Sequence, residues 1–126
     1  MIHFFKSKIL DGLSLIATLT ENFNIRQIIR STHGLSIIDV STPSNPTYVG
    51  GYDTPIYTYQ VEVSGNYAYV SDDSNGVVVL DISNPSSPSL YTTYSTKVSS
   101  FWLTISGDYL YVADTENGLE IINIAR

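Results

Sequence analysis

The sequence predicts an all-β protein: a partial β-propeller of about three four-stranded antiparallel blades, built on a 42-residue repeat. The repeat itself is the first observation, because residues 33–74 and 75–116 agree at 14 of 42 positions without a gap. The second is a series of Tyr- and Val-rich segments separated by turn dipeptides. The third is a strand that is apolar on both faces.

One repeat unit contains four predicted strands, at residues 56–64, 67–72, 77–82 and 89–94. The Gly-Asn pair at 65–66 is a two-residue turn of the kind that joins hairpin strands, and the Asn-Gly pair at 75–76 turns the chain again. Pro85 and Pro88 end the third strand, because proline cannot donate to a strand ladder. The unit is therefore a four-stranded meander.

The segment 77–80 reads VVVL and is apolar on both faces, which is unusual for an antiparallel sheet with one side in water. Each sheet is therefore expected to be covered on both sides by copies of itself, as in a propeller. A β-sandwich is the alternative. The repeated tyrosines are expected in the core; they are Tyr67, Tyr69, Tyr109 and Tyr111.

The repeats divide the chain into residues 1–32 and residues 33–126, the latter with units at 33–74 and 75–116 and a partial unit at 117–126. In the first segment Phe23 falls in the register of Gly65, and Gln27 in that of Tyr69. The segment is either a decayed set of blade strands or an unrelated stretch.

The charge, cysteine content and apolar stretches of the chain limit the classes of function that it can have. The formal net charge is −6; the first 32 residues have a net charge of +2, and the remainder has −8. An acidic body argues against nucleic-acid binding, which depends on Lys and Arg. The chain contains no cysteine, and no apolar stretch is long enough to predict membrane insertion. Asp11 interrupts the apolar run after Lys8, so no clear signal peptide is predicted.

Two motifs resemble a known family. Residues 35–39, 77–81 and 119–123 read LSIID, VVVLD and LEIIN, and residues 64–72 and 106–114 read SGNYAYVSD and SGDYLYVAD. In this combination and spacing, about residues 33–126 resemble the LVIVD-repeat proteins. The resemblance implies a β-propeller of the kind found in bacterial and archaeal cell-surface or secreted proteins, hence an extracellular or cell-surface location. The last copy departs from the pattern at Asn123, where Asp is expected.

No catalytic constellation is visible in the sequence. Its two histidines are His3 and His33, and neither lies in a motif that would activate a nucleophile. Asp72 and Asp73 lie in an oxygen-rich loop, but the spacing lacks the bidentate Glu of an EF-hand, so a turn-forming role is expected and no metal or cofactor is predicted. Asp39 and Asp81 are expected to fix the turns after their strands.

We therefore expect a non-catalytic β-propeller module that binds a partner or serves as a scaffold. The alternative is a fragment of a larger propeller enzyme whose catalytic blades are absent from these residues.

The candidate binding residues are those that differ between copies in the innermost strand of each unit. They are Tyr57, Tyr59, Gln60, Phe101 and Trp102. Aromatic side chains with a few polar groups favour a protein or carbohydrate ligand. Packing between blades is the alternative role for these residues.

The chain ends predict a homodimer. Residues 5–11 lie 42 residues before the fourth strand of the first unit, and residues 118–124 form a third strand without a fourth. Since an open strand edge is a template for pairing, each N-terminal strand is expected to complete the partner's last blade and close a six-bladed ring.

Overall fold

The computed structural model describes residues 2–3, 9–10, 13–21, 24–31, 34–39, 42, 44–96, 99–114 and 118–125, with side chains from residue 34 onward except that of Phe101. All regular structure in this part of the chain is β-strand, arranged in three antiparallel sheets. The described residues contain no helix with the length and apolar character needed to cross a membrane.

The strands follow the chain from sheet to sheet. The first sheet contains β1 (Ile2–His3), β2 (Ile9–Leu10), β3 (Leu13–Glu21), β4 (Asn24–Ser31), β5 (Gly34–Asp39) and β6 (Thr47–Asp53). The second sheet contains β7 (Gln60–Ser64), β8 (Tyr67–Ser71), β9 (Val77–Asp81) and β10 (Ser89–Tyr94). The third sheet contains β11 (Ser100–Ser106), β12 (Tyr109–Asp114) and β13 (Gly118–Asn123).

Each sheet is a meander of neighbours in sequence. The second sheet has the order β10-β9-β8-β7, the third β11-β12-β13, and the first β1-β3-β4-β5-β6 with β2 also paired to β3. The glycines of the predicted two-residue turns, Gly65 and Gly107, have φ of 59° and 58°, a conformation that glycine adopts at low cost. The first predicted strand of the repeat unit begins at Gln60 rather than at residue 56, because residues 57–59 form a connection between sheets.

Two apolar layers hold the three sheets together. The first lies between the first and second sheets; its buried members include Leu35, Ile37, Val61, Val70 and Leu80. The second lies between the second and third sheets; its buried members include Val77, Val79, Leu103, Leu110 and Val112. The second sheet is thus buried on both faces, and burial of such aliphatic side chains is the main stabilising term for the stack.

The innermost strands are neighbours as well, since β7 contacts β3 on one side and β11 on the other. Radially stacked meanders with adjacent inner strands are propeller blades. The predicted all-β, partial-propeller fold is confirmed.

The first sheet departs from the gapless register. Arg26 pairs with Asp39 as Tyr67 pairs with Asp81, but the β3–β4 ladder continues for two further pairs, to Glu21 and Asn24. The equivalent ladder of the second sheet ends at Ser64 and Tyr67. This longer hairpin explains why residues before 33 align poorly with the later copies.

Residues 9–10 pair with residues 13–14 of the same chain, in the first sheet. Residues 5–8 and 11, which complete the predicted exchanged strand, lie outside the described residues. Exchange of this segment between two copies stays a prediction.

Candidate functional site

The Asp-rich loop after β8 joins the first and second sheets. The Thr54 hydroxyl donates to Asp72 Oδ1 at 2.7 Å. The backbone N–H of Ile56 and the Asn75 side-chain amide donate to Asp72 Oδ2 at 3.3 and 3.1 Å. These internal donors engage both oxygens of a fully buried carboxylate, so Asp72 organises the loop.

Thr58 and Ser100 occupy the same repeat position, and the hydroxyl of each makes a hydrogen bond to the neighbouring sheet. We call the contact between the first and second sheets the first joint, and the contact between the second and third sheets the second joint. In the first joint the backbone N–H of Gly34 donates to Thr58 Oγ1 at 2.7 Å. In the second joint the hydroxyl of Ser100, the equivalent of Thr58, donates to the carbonyl oxygen of Gly76 at 2.7 Å. Both hydroxyls are buried, and each connects the beginning of one sheet's inner strand, or the residues just before it, to the glycine at the start of the third repeat strand in the preceding sheet.

Gln60, one of the predicted ligand-binding residues, lies in the joint between the second and third sheets. The backbone N–H of Leu103 donates to its Oε1 at 2.7 Å, and its Nε2 donates to Glu62 Oε1 at 3.2 Å. Partial burial raises the pKa of Glu62 because desolvation disfavours its charged form. The Gln60 amide therefore connects two sheets through its oxygen and orients Glu62 through its nitrogen.

Tyr57 and Tyr59 lie together in the connection before β7. Their ring centroids are 4.9 Å apart and their planes are tilted by 55°. The backbone N–H of Tyr59 donates to the carbonyl of Ser71 at 3.0 Å, which holds the connection against β8. Phe101 lies within β11, but its side chain is outside the part of the chain that the structure describes.

Trp102 is 64% exposed and lies on the outer side of the third sheet. Its strand neighbour Leu103 is fully buried against the second sheet, and successive side chains on a strand point to opposite faces. Trp102 and Gln60 occupy the same repeat position, so the structure places one of them between sheets and the other on an uncovered face.

Cross-strand pairing defines the rest of this surface. Trp102 pairs with Ala113 and Ala113 with Leu119; in the next row, Thr104 pairs with Tyr111 and Tyr111 with Ile121. Directly paired side chains lie on the same side of a sheet. We call this surface, together with Tyr109, the third-sheet face; its apolar members are Trp102, Tyr109, Tyr111, Leu119 and Ile121.

The third-sheet face is exposed where the equivalent face of the second sheet is buried. Leu119 and Ile121 are 60% and 57% exposed, whereas their repeat equivalents Val77 and Val79 are 0% and 2% exposed. The expectation that all four repeated tyrosines are core residues is correct for Tyr69 and wrong for Tyr109, which is 44% exposed. In the described residues no further sheet covers this side of the third sheet.

The edge of β13 is open as well. Within the described part of the chain, β13 pairs with β12 alone, whereas its equivalents β5 and β9 each have a strand on both sides. A Cβ at Gly76 would collide with the backbone carbonyl of Tyr94 on the fourth strand, while one at Gly118 would meet no atom within 4 Å. The third sheet therefore presents an apolar face and an unpaired strand edge side by side.

The chemical groups that this arrangement offers are those of a strand edge and an apolar face. Among the described residues there is no group of three or more His, Cys, Asp or Glu side chains that could hold a metal ion. An open edge offers backbone donors and acceptors, and the adjoining apolar face offers contact area. Tyr109, Leu119 and Ile121 were not predicted as binding residues, because they have the same aromatic or aliphatic character as their repeat equivalents Tyr67, Val77 and Val79.

The chain matches a family of repeat proteins. The LVIVD repeat model matches the chain at residues 29–54, 57–96 and 100–125. The second match spans the second sheet and the third match spans the third sheet. A comparison with curated proteins gave no match.

Proposed function

The chain belongs to the LVIVD-repeat family, and from this premise we propose that it is a non-catalytic binding and scaffold module that engages a protein partner through the third-sheet face. Its location, by family resemblance, is the cell surface or the extracellular space. The repeat module itself is β-propeller-like.

One observation carries the proposal: Leu119 and Ile121 are exposed at positions where the same fold buries Val77 and Val79. A contiguous apolar patch on a folded protein is typical of an interaction surface. Trp and Tyr beside aliphatic side chains give this patch the composition of an interface core.

A protein partner suits this surface better than a carbohydrate. Carbohydrate sites need hydrogen-bonding groups beside an aromatic platform; Thr104 and Tyr111 provide some on this face, but the aliphatic row of Leu119 and Ile121 provides none. A flat aliphatic strand beside an open edge instead matches the surface of another sheet.

The non-catalytic part of the proposal rests on how the acidic residues are used. Asp72 is engaged by Thr54, Ile56 and Asn75, in a loop that joins two sheets. The raised pKa of Glu62 comes from burial beside Gln60 in the second joint, at a place where Gln60 already connects two strands. These carboxylates serve the architecture.

Site-specific photo-crosslinking tests the proposal. A photoreactive phenylalanine analogue replaces Trp102 in one version of the chain and Ser86, in the exposed loop between β9 and β10, in the control. Both versions are expressed in the source cells, irradiated, and analysed by mass spectrometry. We expect position 102 to give a crosslinked, identifiable protein that position 86 does not give.

Three results would contradict the proposal. The first is the same set of crosslinks from both positions, and the second is crosslinking at position 102 to glycans alone. The third is a partner chain that supplies further propeller blades with a catalytic centre, which would make this chain part of an enzyme. Cell fractionation tests the proposed location. The proposal predicts that the chain is found on the cell surface or in the medium.

A further inference from the structure

We propose that Tyr67 and Tyr91 are a site of oxidative crosslinking, at which a one-electron oxidant of the peroxidase class joins the two rings as dityrosine. The crosslink fastens β10, the outermost strand of the second sheet, to β8. It is a covalent modification within one sheet, and it does not depend on the third-sheet face or on the partner proposed for that face.

The two tyrosine rings are in contact in the folded chain. Tyr67 lies on β8 and Tyr91 on β10, and their ring centroids are 4.8 Å apart with planes tilted by 57°. The contact spans β9, which lies between these two strands. Because the reacting groups are held together before the reaction, coupling within one chain has the advantage of proximity over coupling between chains.

A β-bulge explains how Tyr91 reaches Tyr67 from two strands away. The register of β10 against β9 shifts between Leu90 and Thr92, which leaves Tyr91 as an extra residue without a paired residue on β9. A bulge bends its strand and re-aims a side chain. The ring of the extra residue packs against Tyr67.

The two rings differ in their access to solvent. Tyr91 is 56% exposed, so an oxidant in solution can take an electron from it. Tyr67 is half-buried and packs against the apolar layer between the second and third sheets. A radical that forms on Tyr91 therefore has a second tyrosine ring already in contact with it, on the side away from solvent.

The outer strand is the part of the second sheet that gains most from a covalent bond. Within the described part of the chain, β10 pairs with β9 alone, and its six residues are exposed or half-buried. The chain contains ten tyrosines and no cysteine, so a disulfide cannot hold this strand. A bond to β8 ties it to a strand that is paired on both sides.

The coupling is a two-electron oxidation. Each phenol gives up one electron and its hydroxyl proton and becomes a phenoxyl radical. The two radicals form one carbon–carbon bond between the ring carbons beside the oxygen-bearing carbons, and the hydrogens on those two carbons move to the oxygens and restore both phenols. A haem peroxidase passes the two electrons to hydrogen peroxide, which takes up the two released protons and becomes water.

Peptide mapping of the oxidised monomer tests the proposal. The purified chain is treated with a haem peroxidase and hydrogen peroxide, and the monomer is isolated and digested with a protease that cuts before aspartate. Cuts before Asp72 and Asp81 place Tyr67 and Tyr91 on different peptides. We expect these peptides to stay joined, at their summed mass less two hydrogen atoms. Their yield per chain should not change on about tenfold dilution, since one chain holds both rings.

Two phenylalanine variants provide the matched comparison. Tyr91→Phe should abolish the joined peptides, because its ring has no hydroxyl to oxidise. Tyr109→Phe should leave them unchanged; Tyr109 is the repeat equivalent of Tyr67 and is exposed. Oxidation should raise the melting temperature of the wild-type monomer by several degrees relative to oxidised Tyr91→Phe, because a crosslink restricts the unfolded chain. Circular dichroism establishes that both variants are folded.

Joined peptides in the monomer would sustain the proposal. Dityrosine that forms only between separate chains would overturn it. Coupling confined to Tyr57 and Tyr59, whose rings are also in contact, would overturn it as well, since the pair on β8 and β10 would then be unreactive. Dityrosine fluorescence that persists undiminished in the Tyr91→Phe monomer would have the same meaning.

Discussion

The second and third sheets are built from the same repeat, yet their equivalent strands have opposite environments. β9 reads VVVLD and is buried on both sides, whereas β13 reads GLEIIN and exposes alternate side chains. Among the described residues, the second sheet has a sheet on each face and the third has a sheet on one. On the side that carries Val77 and Val79 in one strand and Leu119 and Ile121 in the other, burial is therefore decided by the neighbouring sheet, since all four side chains are aliphatic.

The comparison also separates two kinds of apolar residue. Val79 contributes to folding, because the stack loses a packed contact without it. Ile121 contributes nothing comparable to the folding of the described chain, because water already surrounds most of its side chain. An apolar residue retained at such a position is informative about association.

The largest effect is expected from introducing the same polar side chain at these two equivalent positions. Val79→Asn buries an amide between two sheets and removes aliphatic packing, so it should lower the free energy of unfolding by about 3 to 4 kcal/mol. Ile121→Asn should change it by less than about 0.5 kcal/mol. Urea unfolding of both variants measures the difference.

Equal destabilisation by the two substitutions would mean that Ile121 is packed within the single chain. In that case the third-sheet face would not be a free surface, and the contrast between the two sheets would fail.

A smaller effect on stability is expected at the contact between the first and second sheets. Asp72→Ala removes a fully buried carboxylate that accepts hydrogen bonds from the Thr54 hydroxyl, the Ile56 N–H and the Asn75 amide. We expect a loss of about 2 kcal/mol in unfolding free energy, since each unsatisfied buried group is costly. Asp53→Ala, at an exposed carboxylate that ends β6, is the control and should change stability little.

Calcium provides an independent check at the same loop. If the Asp72 carboxylate is held by internal donors, millimolar Ca²⁺ should leave the melting temperature of the wild-type chain unchanged. An increase of several degrees that a chelator reverses would show that the loop binds the ion instead.

Much of the fold could be predicted from the repeat, because a gapless period transfers strand positions from one copy to the next. The strands of the second and third sheets and the turns at Gly65 and Gly107 follow from it. The first sheet could not be predicted in this way. Its β3–β4 hairpin is two residue pairs longer, and an added length of strand shifts the register without leaving a motif.

The candidate site was predictable only in part. Trp102 was predicted as a binding residue because it differs from its repeat equivalent, Gln60. That difference does not show which of the two side chains is covered by a neighbouring sheet. That depends on a neighbouring sheet, which local sequence does not encode. In the structure Gln60 makes a hydrogen bond to Leu103 of the third sheet. The role of Tyr57 and Tyr59 as ligand contacts stays a prediction.

The smallest effect on stability is expected from changing the charge in the turns that follow β9 and β13. Asp81 Oδ1 accepts hydrogen bonds from the Ser83 N–H at 2.8 Å and the Ser83 hydroxyl at 2.6 Å. In the third sheet Asn123 Oδ1 accepts from the Ala125 N–H at 2.9 Å, so the amide makes the same turn where the family pattern has Asp. One turn therefore depends on an ionised side chain, and the other does not.

The Ser83 hydrogen bonds lower the pKa of Asp81 below its ordinary value. A carboxyl whose pKa is lower in the folded than in the unfolded chain adds stability above the unfolded pKa, and that stability is lost as pH falls through the folded pKa. Asp81→Asn should therefore narrow the gap in melting temperature between about pH 7 and about pH 3, and Asn123→Asp should widen it. Both shifts should be small because these turns are exposed, and Ser83→Ala should reproduce part of the Asp81→Asn effect. Unchanged gaps in all three variants would show that the turn does not sense the charge, leaving Asp and Asn interchangeable at this repeat position.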